Sequence, residues 1–297
     1  MPSPKEFSSP RPAFPAVRDG NVRCVLIGDV VGKPGMRAAV EAARWLRSYA
    51  KAGVLVVNAE NAADGTGLQV KQFERLLQAG YDCVTLGDHV YRKREIIPIL
   101  ETSDRLVRPG NFPDTAPGRG LTVFELSDGL RVAVLSLMGR VYMKPVDCPF
   151  AALDRLLETP DLPAVRLLDF HAEATSDKQA MGWYADGRLS GVLGTHTHVV
   201  TADEQILPQG TGYHSDVGMS GPFLSILGRE VEPVLRSTTT FEPCAFHVAT
   251  EDVRISGTYI DVNRETGHCE AIDRLQWRES DMAAWRIAEA EVRRAGL

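Results

Sequence analysis

Five short apolar runs along the chain each end in a polar cluster. Val25-Leu26-Ile27 leads into Gly28-Asp29, and Val54-Leu55-Val56-Val57 into Asn58-Ala59-Glu60-Asn61. Val84-Thr85-Leu86 leads into Gly87-Asp88-His89, and Val165-Arg166-Leu167-Leu168 into Asp169-Phe170-His171. The last, Gly191-Val192-Leu193, leads into Gly194-Thr195-His196-Thr197-His198. Short runs rich in β-formers and bounded by Gly, Asp and Asn read as strands. Strand ends along one edge of an α/β sheet are where such folds assemble their sites.

The segments between the runs predict how those strands connect. Strand 21–27, loop 28–35 and helix 36–51 form a βα unit, and the pattern recurs with strand 54–57, helix 70–79 and strand 82–86. Such alternation implies a mostly parallel inner sheet with right-handed crossovers. From Leu121 the pattern changes to a β-hairpin, 121–126 and 130–137, around the Ser127-Asp128-Gly129 turn. A helix over 150–158, a buried strand over 165–170, a helix over 177–184 and a strand over 189–193 follow. A further strand is expected over 211–215, and segments 243–250, 253–262 and 268–276 are expected to pair as an antiparallel second sheet. The fold class is therefore α/β, one domain of two packed sheets over 21–278. Residues 1–20, rich in proline and serine and without signal-peptide features, are expected to be a disordered extension. Residues 279–297 have helical composition, suited to covering the second sheet or joining copies into a homo-oligomer.

Charge and cysteine usage narrow the function classes. A net charge of −6 argues against long nucleic acid or an anionic membrane as partner, and no window approaches a membrane-spanning run. The five cysteines are scattered and form no Cys-x-x-Cys pair, as for reduced thiols of the cytoplasm, with Cys24 and Cys83 expected in the core.

The strand ends supply Asp29, Glu60, Asn61, Asp88, His171, His196 and His198. Mixed imidazole and carboxylate donors suit Fe, Mn, Zn or Co, whereas an all-oxygen set would suit Mg or Ca. Two metals roughly 3.5–4 Å apart, sharing a carboxylate, clamp both oxygens of an in-line displacement. A lone histidine would be an ordinary core or surface residue; this combination points to a metal pair. The 28–35 loop lacks both the dinucleotide and the P-loop spacing, and no Gly-x-Ser-x-Gly elbow occurs.

These ordered motifs resemble those of calcineurin-like metallophosphoesterases. More narrowly, the chain resembles the YmdB family of bacterial phosphodiesterases over about 22–276. That likeness rests on Gly28-Asp-Val-Val-Gly-Lys-Pro-Gly35, Leu106-Val-Arg-Pro-Gly-Asn-Phe-Pro113 and Asp147-Cys-Pro-Phe150. It rests further on Asp169-Phe-His-Ala-Glu-Ala-Thr-Ser176, Gly194-Thr-His-Thr-His-Val199 and Asp216-Val-Gly-Met-Ser-Gly-Pro222.

The resemblance implies an α/β/β/α sandwich with its metal site at the C-terminal ends of strands. It implies that Asp29, Glu60, Asn61 and His198 hold one metal, Asn61 replacing a histidine that other metallophosphoesterases place where Val31 stands here. Glu60 would bridge to a second metal, held also by Asp88, His171 and His196. Iron or manganese is expected, with zinc accepted by the same donors. His89 would assist the leaving oxygen or stabilise phosphate charge. The implied reaction opens cyclic nucleotides, notably 2′,3′-cyclic nucleotides, by attack of a hydroxide shared by both metals. Arg108 and Arg140 are candidate phosphate contacts, and Glu173 and Thr175 candidate orienters of the ligands. Two departures stand out: Asp88 where the family has asparagine, and Val90-Tyr91 where it has Thr-Trp. The extra carboxylate makes a metal-binding regulatory protein with weakened catalysis one alternative; a phosphomonoesterase or RNA-end phosphatase is another.

Overall fold

The computed structural model describes residues 13–294. The expected disorder of the N-terminal extension lies, for 1–12, outside the described residues. Within the described part of that segment, Phe14 packs edge-on against Tyr259 and Trp277, with centroids 5.6 and 5.8 Å apart.

Strand Asn21–Ile27 sits at the centre of the first sheet. Val54–Asn58 pairs parallel to it, with Ile27 opposite Val57, and Cys83–Thr85 and Leu106–Val107 extend that side in parallel. On its other side Val253–Asn263 runs antiparallel, Cys24 facing Ile260, and pairs in turn with Cys269–Arg278 and Met219–Pro222. The short strand Asp29–Val30 docks parallel on Met219–Ser220. The second sheet runs in the order Gln205–Ile206, Gly212–His214, Gly191–Thr195, Val165–His171, Arg131–Met138, Leu121–Glu125.

Alternation along each strand assigns its two faces. Val22, Cys24 and Leu26 meet Val132, Val134 and Leu167 between the sheets. Val25 and Ile27 face the other way, beneath helices Gly32–Ser48 and Val70–Ala79. Phe170 and Leu135 lie under Pro149–Leu157 and Thr175–Ala185 on the opposite side. The layers are thus α/β/β/α. Trp45 lies fully buried in the outer layer of the first sheet.

Three expectations are corrected. Segment 243–250 forms no strand, only an isolated bridge between Arg229 and Val248. The 253–278 hairpin joins the first sheet, because Val253–Asn263 pairs along the whole of Asn21–Ile27. The first helix starts at Gly32 and not at 36; Pro34 lies in its first turn, where no N–H donor is required. The final helix, Glu279–Arg294, packs on Gly32–Ser48 and this hairpin, with Trp285 edge-on to Trp45 and Trp277. Among the described residues no helix is long and apolar enough to cross a membrane.

Candidate metal centre

A buried carboxylate ties the strand ends together. Asp169 accepts hydrogen bonds from Asn58 Nδ2 at 3.0 Å, from Thr195 Oγ1 at 2.6 Å and from Thr85 Oγ1. Four strands, two from each sheet, are thereby locked together. Asn58 Oδ1 also accepts from the Glu60 backbone at 3.1 Å, which turns the chain so that Glu60 points into the site. Because Thr195 gives its proton to Asp169, its oxygen accepts from His171 Nδ1 at 2.9 Å. His171 Nε2 is then the ring nitrogen turned toward the cluster. Gly87 permits this crowding: a Cβ there would collide with the His171 ring and the Glu60 carboxylate.

Donor atoms of Glu60, Asp88, His171 and His196 all lie within 4.8 Å of one another. His171 Nε2 stands 3.1 Å from Glu60 Oε1, 3.6 Å from Asp88 Oδ1 and 3.0 Å from His196 Nδ1. These are the four residues expected to share one metal. The residues expected to hold the other converge beside them. Asn61 Oδ1 is 3.3 Å from His198 Nε2, and Asp29 accepts from the His196 backbone at 3.1 Å. Asn61 Nδ2 donates to Gly65 O at 3.2 Å, which fixes the amide with its oxygen toward His198.

The donor set fits a cation. Among the described residues Asp29 Oδ1 and Asp88 Oδ1 are buried without a hydrogen-bond partner, a costly state that a bound cation would relieve. Burial pushes the Asp29 carboxyl well above its usual range, and the Asp216, Glu60 and Asp169 charges add to this against the pull of His171. Burial, with His171 adding, drives His196 down to about 4. Burial likewise lowers His198, so both imidazoles are neutral donors at pH 7, as metal ligation requires. His171 is the counterpart: burial opposes its charge, but Glu60 and Asp88 outweigh it and raise its pKa well above the ordinary value.

The double-histidine loop is strained and buttressed. His196 and His198 adopt φ of 97° and 66°, a backbone region costing about 1–3 kcal/mol per non-glycine residue. Asp216 holds them there, accepting from Thr197 N at 3.0 Å, Thr197 Oγ1 at 2.8 Å and Gly218 N at 2.8 Å. Lys178 pairs with Asp216 at 2.5 Å, and both side chains are buried. Sequence reasoning missed both; the Asp216-Val-Gly-Met string was the available signal.

His89 sits beside the cluster. Its backbone N–H donates to Glu60 Oε2 at 3.0 Å, and its Nδ1 accepts from Asn61 Nδ2 at 3.1 Å. That contact leaves the proton on Nε2, which lies 3.8 Å from Asp88 Oδ2. Glu173 Oε2 lies 3.1 Å from His196 Nε2, fixing the tautomer that turns Nδ1 toward the cluster. Thr175 instead begins a helix.

The two arginines are placed elsewhere. All three guanidinium nitrogens of Arg108 donate to carbonyls of Pro109, Ala116 and Pro117, so the side chain braces its own loop. Arg140 is exposed, and its backbone N–H donates to Asp177. Neither lines the cleft of about 280 Å³ over the cluster. Arg229 does, held by the carbonyls of Asp64, Gly65 and Phe246. No motif marks it. Lys144 also reaches the site, donating to Asp88 O at 2.9 Å.

Known proteins share this sequence pattern and fold. The family model for YmdB-like proteins matches residues 25–275. A 2′,3′-cyclic-nucleotide 2′-phosphodiesterase of Bacillus subtilis (strain 168) is 42% identical over 88% of this chain and 99% of its own length. A putative phosphatase/phosphodiesterase of Mycoplasma pneumoniae is 32% identical over 83% of this chain and 89% of its own. The crystal structure of a hypothetical protein from Thermus thermophilus superposes with a TM-score of 0.81 at 41% identity, over 87% of this chain and 100% of the other. A solved Mycoplasma pneumoniae phosphatase gives 0.82 at 31% identity, covering 90% and 96%.

Proposed function

The chain belongs to the YmdB-like family, and from that premise we propose that it is a metal-dependent phosphodiesterase opening 2′,3′-cyclic nucleotides to nucleoside monophosphates. The observation that carries this reading is the convergence of Glu60, Asp88, His171 and His196 within 4.8 Å, with His89 alongside. The named activity of the Bacillus subtilis relative supplies the substrate class.

Asp29, Glu60, Asn61 and His198 would hold one metal, and Glu60, Asp88, His171 and His196 the second. Iron or manganese is favoured, with zinc suited to the same donors. Such ions, when bound, supply Lewis-acid charge on phosphoryl oxygens and a nucleophile at neutral pH. The remaining work falls to the chain. His89, with its proton on Nε2 and its Nδ1 fixed by Asn61, donates to the oxygen that leaves phosphorus. Arg229, whose guanidinium is already fixed by three carbonyls, contributes positive charge to the cleft wall and replaces Arg108 and Arg140 as the phosphate-contact candidate. Lys144 offsets the charge of Asp88, which weakens the case for a damped regulatory site.

The test is hydrolysis of 2′,3′-cyclic AMP followed by ³¹P NMR, before and after chelation and on returning Mn or Fe. Conversion to a single AMP isomer, lost with chelator and regained with metal, is expected. Absence of turnover under all these conditions, with phosphomonoester hydrolysis intact, would move the assignment to a phosphomonoesterase.

A further inference from the structure

A larger cavity adjoins the metal cleft, about 660 Å³ against 280 Å³. His198 and Leu227 line both. That shared stretch reaches solvent: Leu227 is 52% exposed, and Val199 beside His198 is 57% exposed. The larger cavity is thus the immediate neighbour of a molecule bound at the metal cleft.

The composition of the cavity is unlike that of the cleft. Val200, Met219 and Phe223 give it apolar walls, and Ser225, Asp273, Arg274 and Gln276 give it polar ones. Arg274 is pre-set: its guanidinium bonds Glu204 Oε1 at 2.9 Å and Thr201 O at 3.2 Å. Gln276 donates to Ser256 Oγ at 3.3 Å and makes no other side-chain hydrogen bond within the described residues, leaving its amide oxygen as an acceptor. Apolar walls with a few fixed polar groups are the usual make-up of a small-molecule site. An aromatic ring and a held guanidinium plane are the surfaces on which nucleobases stack, and an amide reads their edges.

We propose that this cavity receives the nucleoside of the substrate: the base stacks among Phe223 and Arg274 and is read by Gln276, while the phosphodiester lies in the metal cleft. The assignment rests on the phosphodiesterase reading for its occupant but has its own test. Gln276 is exposed on a strand, so Gln276→Trp narrows the cavity without disturbing the core. Two readouts separate the two ideas. The first is titration of wild type and Gln276→Trp with 3′-AMP and with inorganic phosphate. The second is hydrolysis of 2′,3′-cyclic AMP and of glycerol 1,2-cyclic phosphate, which has the reacting ring but no base.

Gln276→Trp should weaken 3′-AMP binding by about tenfold or more, on the order of one desolvated contact, and leave phosphate binding unchanged. The KM for 2′,3′-cyclic AMP should rise in step, with glycerol cyclic phosphate turned over as by wild type. Phe223→Ala should act in the same direction. Equal effects on the base-bearing and base-free ligands, or none on either, would overturn the assignment. Base-dependent binding through Gln276 in a protein that hydrolyses neither cyclic ester would uphold the cavity and count against the phosphodiesterase reading.

Discussion

The Lys144 ammonium donates to the Asp88 backbone carbonyl at 2.9 Å and stands 3.4 Å from its carboxylate. One side chain thus anchors the loop after the Arg131–Met138 strand to the metal cluster and offsets a charge that asparagine would not bring. The lysine is more than half exposed, so the pair is worth only about 0.2–1 kcal/mol. Its effect falls on anion binding. Lys144→Ala should raise the KM for a cyclic nucleotide about two- to fivefold, and Asp88→Asn should remove most of that sensitivity. Steady-state kinetics on the four combinations measures this. An equal effect of Lys144→Ala in both backgrounds contradicts the offset.

The pair beneath the double-histidine loop has a larger expected effect. Lys178 and Asp216 are both buried, and Asp216 also holds Thr197 and Gly218. Removing one partner strands the other charge, at a cost of about 3–5 kcal/mol. Lys178→Met should lower the denaturation midpoint and reduce bound metal per chain. Asp216→Asn added to it should recover part of the stability, which chemical denaturation reads directly.

His214 gives a pH dependence away from the metal cluster. Its Nδ1 accepts from Thr258 Oγ1 at 2.6 Å and its Nε2 donates to Thr201 O at 3.1 Å, the pattern of a neutral ring. Asp203, 4.0 Å from Nε2, faces it, with Glu204 and Asp216 nearby. Burial outweighs these carboxylates and lowers its pKa. Below the ordinary histidine pKa of about 6.5 the unfolded chain binds a proton that the folded one refuses, so stability falls as pH drops through that value. The slope from this group is at most about 1.4 kcal/mol per pH unit. His214→Gln should flatten the fall in thermal midpoint between about pH 7.5 and 5.5; an unchanged fall contradicts this.

The strand ends were legible because each joins a buried run to a polar cluster, a change visible within a few residues. Asp29, Glu60, Asn61, Asp88, His171, His196 and His198 follow from it, and the structure draws all of them to one edge. Sheet membership was not legible. Alternation in 253–262 announces a strand but not its neighbour, and the pairing of Ile260 with Cys24 joins positions far apart in sequence. Helix Val231–Thr240 buries none of its residues and ends in three threonines, so neither periodicity nor propensity marks it. Arg229 escaped for a related reason: what qualifies it is the set of carbonyls that fix it, supplied by remote loops.

The most direct test of the metal-centred account combines composition and turnover on one preparation. Bound metals per chain would be quantified in wild type and His89→Ala purified without chelator, and both assayed on 2′,3′-cyclic AMP. Close to two metals in each protein is expected, with turnover lowered about 10²–10⁴-fold in the variant by loss of the proton donor. No bound metal in wild type, and no uptake when Mn or Fe is supplied, would contradict the assignment of Glu60, Asp88, His171 and His196 as a metal centre.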